Sequence, residues 1–129
     1  MHKKEVELLL KRSKNFLEGA EQRFKKEDWD LTCFLAEQSV QLYLKAIILE
    51  EVGQTPRTHS IRQLLAQLGK IIEKEIVYDR KSLFMLESAY FNARYIAVTY
   101  DEEQAKDAIN IAKELIAHVE NIRNRERKV

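Results

Sequence analysis

Leu31-Thr32-Cys33-Phe34-Leu35-Ala36-Glu37-Gln38-Ser39-Val40-Gln41-Leu42-Tyr43-Leu44-Lys45-Ala46-Ile47-Ile48-Leu49 decides the fold. Residues three and four apart share a face of a helix. Leu31, Phe34, Leu35, Leu42, Ala46 and Leu49 form one apolar stripe on that spacing, and Cys33, Ala36, Val40, Tyr43 and Ile47 form a second. A helix apolar around so much of its circumference is the central one of a bundle. The spacing predicts a helix from about Trp29 to Glu51, stopped by Gly53 and Pro56: glycine suits the position past a helix end, and proline cannot continue the helix.

The flanking segments repeat the pattern with one apolar face each. Val6, Leu9, Leu10, Phe16, Leu17, Ala20 and Phe24 line the first helix, which ends at Lys25-Lys26-Glu27-Asp28. Thr58 is the expected N-cap of a short third helix carrying Ile61, Leu64, Leu65 and Leu68 and fading near Gly69. An irregular connection with Ile71, Ile72, Ile76 and Val77 follows. The fourth helix is expected over about Lys81 to Val98, with Leu83, Leu86, Tyr90, Ala93 and Ala97 on one face. Asp101 and Gln104 have the spacing of a capping box. The last helix carries Ala105, Ala108, Ile109, Ala112, Leu115, Ile116, Val119 and Ile122 and ends in the basic run Arg123 to Lys128, which complements the negative end of a helix dipole. The expectation is an all-α, antiparallel up-and-down bundle of four long helices and one short one, with short connections and residues 1–129 as a single domain.

Composition removes several functions. The chain has 22 Lys and Arg against 21 Asp and Glu, a net charge of +1, so no bulk field draws it to nucleic acid or membrane. No apolar run approaches the roughly 18 residues of a membrane span, and Met1-His2-Lys3-Lys4 opens a charged amphipathic stretch rather than a signal peptide. Cys33 is the single cysteine and sits in an apolar run, which fits a buried thiol in a reducing compartment. A cytoplasmic protein is expected. His2, His59 and His118 have no metal-ligand spacing, and the three glycines cannot form a phosphate-cradling loop. No metal or cofactor is expected.

Polar residues inside apolar helices are the remaining signal. Glu37, Gln41 and Lys45 stand four apart, as in a solvated Glu–Lys ladder or a functional stripe. Arg94 lies in an apolar setting with Asn92 and Tyr95, one turn after Tyr90. A guanidinium there meets a carboxylate, Glu37 or Glu87, or a phosphate, since its fork fits both. His59 follows the expected cap Thr58, as a local hydrogen-bonding residue.

Three ordered pieces resemble the HEPN family: Ala36 to Ala46 with its Gln and Lys-Ala, the turn Arg57-Thr58-His59-Ser60-Ile61, and Tyr90-Phe91-Asn92-Ala93-Arg94-Tyr95. The resemblance implies a helical bundle that forms a homodimer. It also implies a minimal nucleotidyltransferase as partner, in pairs that include toxin–antitoxin modules. Many such domains are metal-independent ribonucleases in which an Arg is followed after four to six residues by a His. Here that window reads Thr99-Tyr100-Asp101, and tyrosine, with a reference pKa near 10, is a poor base at neutral pH. The leading expectation is therefore a non-catalytic or catalytically degenerate protein that binds a nucleotide or a nucleotidyltransferase partner, with no residue assigned a catalytic role. Arg94 would contact phosphate, Tyr95 and Tyr100 would stack on a base or supply hydroxyls, Lys45 would be a secondary phosphate contact, and His59 would be a further phosphate or nucleotide contact. The alternatives are a metal-independent endoribonuclease with a rearranged site built from Arg94, Tyr100 and His59, and a dimeric scaffold with a purely structural Arg94.

Overall fold

A computed structural model describes residues 2–95 and 98–127. Ala97 and Lys128, expected on the fourth helix and in the basic tail, lie outside them. Five helices pack as an antiparallel bundle: α1 (Lys3–Lys25), α2 (Trp29–Val52), α3 (Ile61–Ile71), α4 (Arg80–Tyr95) and α5 (Glu102–Arg127). Among the described residues there is no strand.

α2 contacts all four other helices, as its two apolar stripes require. Its deepest apolar side chains are Cys33, Ala36, Val40, Leu44, Ala46, Ile47 and Ile48. This differs in detail from the expected stripes: Leu31 is exposed and Leu42 is only half-buried, whereas Leu44 is fully enclosed. Small side chains let α1 lie close against α2. Ala20 meets Ala36 and Cys33 in one core cluster, and the Ser13 hydroxyl donates to the Ser39 carbonyl at 2.6 Å. Burial among apolar neighbours, with Asp30 and Asp101 adding to it, pushes the Cys33 thiol up to about 12. It is therefore a packing group rather than a nucleophile.

The helix ends follow local chemistry. Asp28 caps α2 by accepting from the Leu31 N–H at 3.3 Å, and Gly53 closes it in the left-handed conformation at φ 77°. The capping box at α5 forms in both directions: the Gln104 N–H donates to Asp101 at 2.7 Å and the Asp101 N–H to the Gln104 carbonyl oxygen at 2.9 Å. The cap of α3 is Ser60 rather than Thr58. The Ser60 hydroxyl accepts from the Gln63 N–H at 3.2 Å, and the Thr58 hydroxyl oxygen accepts from the Ser60 N–H two residues on. The chain after α3 folds back so tightly that a Cβ on Gly69 would meet the Lys74 carbonyl at 3.1 Å.

α5 is fastened to α2 by a polar lock. Arg123 donates to both Glu50 oxygens at 2.8 and 2.7 Å and to Glu120 at 2.7 Å, and Glu120 also accepts from the Tyr43 hydroxyl. The basic residue expected to serve the helix terminus is thus spent on a bidentate, largely buried ion pair.

Leu44→Ala should cost about 2–5 kcal/mol in urea unfolding, the usual range for an enclosed leucine. Leu42→Ala should cost clearly less. Equal losses at the two positions would contradict the placement of α2.

Candidate functional site

Three elements meet around a strip of polar side chains. The strip begins inside α2, where Glu37 is fully buried and Gln41 is 2% exposed. A buried carboxylate must have its lone pairs occupied. The Gln38 amide donates to Glu37 Oε1 at 2.9 Å, and the Gln41 amide donates to Oε2. Burial, opposed by these two amides, raises the Glu37 carboxyl to about 7, with the negative Glu87 adding to the rise. The ladder Glu37–Gln41–Lys45 is therefore not a solvated face. It runs from the core outward to Lys45, which is half-buried and whose ammonium is held below its ordinary pKa by burial, against the pull of Glu37.

The second element is the turn before α3. His59 Nδ1 lies 3.3 Å from the Gln41 carbonyl oxygen. Its ring stacks on Tyr90 of α4, with centroids 4.7 Å apart and planes 15° from parallel. The turn is fixed by Glu87, which accepts from the Ser60 hydroxyl at 2.7 Å and from the Arg62 N–H at 3.1 Å, and pairs with the Arg62 guanidinium at 3.0 Å. Partial burial opposes ionisation of Glu87, but these donors outweigh it and hold the carboxyl below its usual range. His59 is pushed below its ordinary pKa by loss of water and by the nearby charges of Lys45 and Arg94. Three groups separated in sequence thus share one electrostatic site.

The third element is the face of α4 carrying Glu87, Tyr90 and Arg94, spaced three and four residues apart. The exposed Arg94 guanidinium sits 4.8 Å from the Tyr90 ring centre, 4.6 Å from Tyr95 and 5.9 Å from Phe34, and donates to the Tyr95 hydroxyl. Among the described residues, no carboxylate pairs with it. Both carboxylates that the sequence offers it are engaged elsewhere, Glu37 with two amides and Glu87 with Ser60 and Arg62.

The expected site residues divide accordingly. Arg94, Lys45 and His59 come together, with Tyr95 alongside Arg94. Tyr100 is 9% exposed in the core cluster, with its hydroxyl 3.4 Å from the Asn92 amide and its N–H donating to Asp30 at 2.7 Å. Burial raises its phenol pKa, which makes it a still poorer base. Tyr90, the platform for both His59 and Arg94, carries no ligand role in the sequence reading, although its place one turn before Arg94 is the available signal. No group of three or more His, Cys, Asp or Glu with metal-binding geometry occurs among the described residues.

A model of the HEPN domain matches residues 6–122. The chain belongs to the HEPN family. Solved structures with the same fold include TT1696 from Thermus thermophilus, 24% identical with a TM-score of 0.76 over 90% of this chain and 96% of that one. ST0689, an archaeal HEPN homologue, is 23% identical with a TM-score of 0.67 over 90% of this chain and 95% of that one. At such identities the likeness is one of architecture. A comparison with curated proteins gives no match. In this HEPN protein no described helix is long and apolar enough to cross a membrane.

The raised carboxyl of Glu37 has a measurable consequence. Its pKa is about 7 in the fold against 4.5 ordinarily. Between those values the folded chain keeps a proton that the unfolded chain has lost, so its contribution falls as pH rises. Wild type should lose about 3 kcal/mol relative to Glu37→Gln as pH rises from 4.5 to 7. Denaturant melts across that range check it, and a wild-type-minus-variant difference independent of pH would contradict the burial of an ionisable Glu37.

Proposed function

We propose that this HEPN protein binds a phosphate-bearing ligand, a nucleotide or an RNA phosphate, through Arg94 and Lys45 beside His59, and serves as a non-catalytic partner of a minimal nucleotidyltransferase in a toxin–antitoxin-like module. The observation that carries the binding reading is the exposed Arg94 guanidinium, set on aromatic rings with no carboxylate paired to it among the described residues, while its candidate carboxylates serve other donors. Such a guanidinium beside a half-buried ammonium offers a planar fork and a point charge to one anion. The partner rests on family membership.

A homodimer is the assembly that suits this surface. Phe84, Phe91 and Tyr95 are exposed on one face of α4, with Leu31 and Val98 also exposed. Clustered exposed aromatics mark an association surface. The single-domain reading of residues 1–129 belongs to the same proposal.

The second reading, a metal-independent endoribonuclease with a rearranged site, draws on one observation: His59, whose pKa is lowered, lies within electrostatic reach of Arg94. Burial of Tyr100 removes the other member of that arrangement, which favours binding without cleavage.

Titration with AMP should give binding that weakens at least about tenfold in Arg94→Ala, and also in Arg94→Lys, which keeps the charge but not the fork. Melting temperatures should change little in either variant. A lowered melting temperature with AMP binding unaltered would instead make Arg94 structural. Wild-type RNA cleavage abolished by Arg94→Ala and by His59→Gln would replace the leading reading with the ribonuclease. Light scattering at micromolar concentration should give twice the chain mass, and a monomer at every accessible concentration would remove the dimer.

A further inference from the structure

We propose that Gln41, oriented by the buried Glu37 carboxylate, is a positioning residue that holds His59 in the Nδ1–H tautomer and so leaves Nε2 as a hydrogen-bond acceptor facing the ligand. The inference deepens the phosphate-site reading and rests on it only for the ligand, not for the tautomer.

Above its pKa of about 7 Glu37 is ionised, and an ionised carboxylate only accepts. Glu37 is fully buried, and each of its oxygens takes a side-chain amide, Gln38 on Oε1 and Gln41 on Oε2. Gln41 must therefore turn its NH2 toward Glu37, and its carbonyl oxygen points the other way. That oxygen faces His59 Nδ1 at 3.3 Å. A carbonyl oxygen cannot donate, so the contact is a hydrogen bond only if Nδ1 carries the proton. A neutral imidazole has one N–H, so Nε2 is then a bare lone pair. Rotation of the amide would set its NH2 against Nδ1 and its oxygen against a buried carboxylate, with no donor between them.

Tyr90 stacks on the ring and Ser60 anchors the turn to Glu87, which keeps the imidazole beside Gln41. Loss of water, with the charges of Lys45 and Arg94 adding to it, holds the imidazole below its ordinary pKa. Among the described residues Nε2 has no hydrogen-bond partner, and His59 is exposed. The site is therefore divided. Its cations, Arg94 and Lys45, take phosphate oxygens. Nε2 takes a ligand hydrogen, from a hydroxyl or an N–H, and disfavours a bare phosphate oxygen. A nucleotide offers both features: phosphate oxygens for the cations, and ribose hydroxyls and base N–H groups for Nε2.

The test is direct and needs no ligand. Long-range proton–nitrogen NMR of the imidazoles in the full chain at mildly alkaline pH, with His59 assigned by its loss in His59→Gln, reports which nitrogen is protonated. The expected result is an Nδ1–H ring in wild type and a shift toward Nε2–H, the form favoured by a free histidine side chain, in Gln41→Leu. Should that variant fail to fold, Glu37→Gln removes the charge that orients the amide and is expected to give a mixture. An Nε2–H ring or an imidazolium in wild type overturns the assignment, and so does an unchanged Nδ1–H ring in the folded variants. Absence of AMP binding with the Nδ1–H ring intact would remove the phosphate-site reading and leave the tautomer assignment standing.

Discussion

A carboxylate with no exposure sits in the most enclosed helix of the bundle, and much of the site is arranged to satisfy it. α2 is surrounded by all the other helices, so a polar side chain facing the core has no water to turn to and an unpaired one costs several kcal/mol. Glu37 uses its own helix neighbours Gln38 and Gln41 as donors. That choice commits the other end of Gln41 to face outward, and the turn carrying His59 meets it there. A second carboxylate, Glu87, clamps that turn onto α4, which brings Tyr90 and Arg94 to the same place. The core and the candidate site thus share their polar contacts.

How much of this was legible in the sequence depends on the distance over which each residue acts. Gly53, the Asp101–Gln104 box and the span of α2 follow from chemistry within a few residues, and they could be read directly. Ser60 takes the cap expected of Thr58 because its hydroxyl is also needed by Glu87, 27 residues away. Leu44 rather than Leu42 is enclosed because apolar spacing on a helix apolar almost all round does not say which side meets which neighbour. The same ambiguity hid the burial of Glu37 and Gln41, since a spacing of four describes an exposed ladder and an inward polar strip equally well.

The gathering of Lys45, His59 and Arg94 is a tertiary fact that no local pattern carries. Their family motifs gave the residues, and the packing of α2, the turn and α4 supplied the proximity. Tyr100 shows the converse. It stands where the sequence would hold a ribonuclease histidine, yet the path of the chain into α5 buries its ring in the core. The freedom of Arg94 was equally unreadable, because it depends on Glu37 and Glu87 having other partners. Family membership and fold are settled by the match over residues 6–122 and by the shared architecture, while the ligand chemistry rests on these contacts alone.

The central claim is that the polar strip ending at Lys45, His59 and Arg94 is a binding surface rather than internal bracing. Chemical-shift mapping of the nitrogen-labelled protein during addition of AMP tests it most directly. The account predicts saturable shifts concentrated at Lys45, His59, Tyr90 and Arg94, with the tight turn after α3 at Gly69 and Lys74 unmoved. A spectrum that stays unchanged up to millimolar AMP, or shifts confined to that turn, would contradict it.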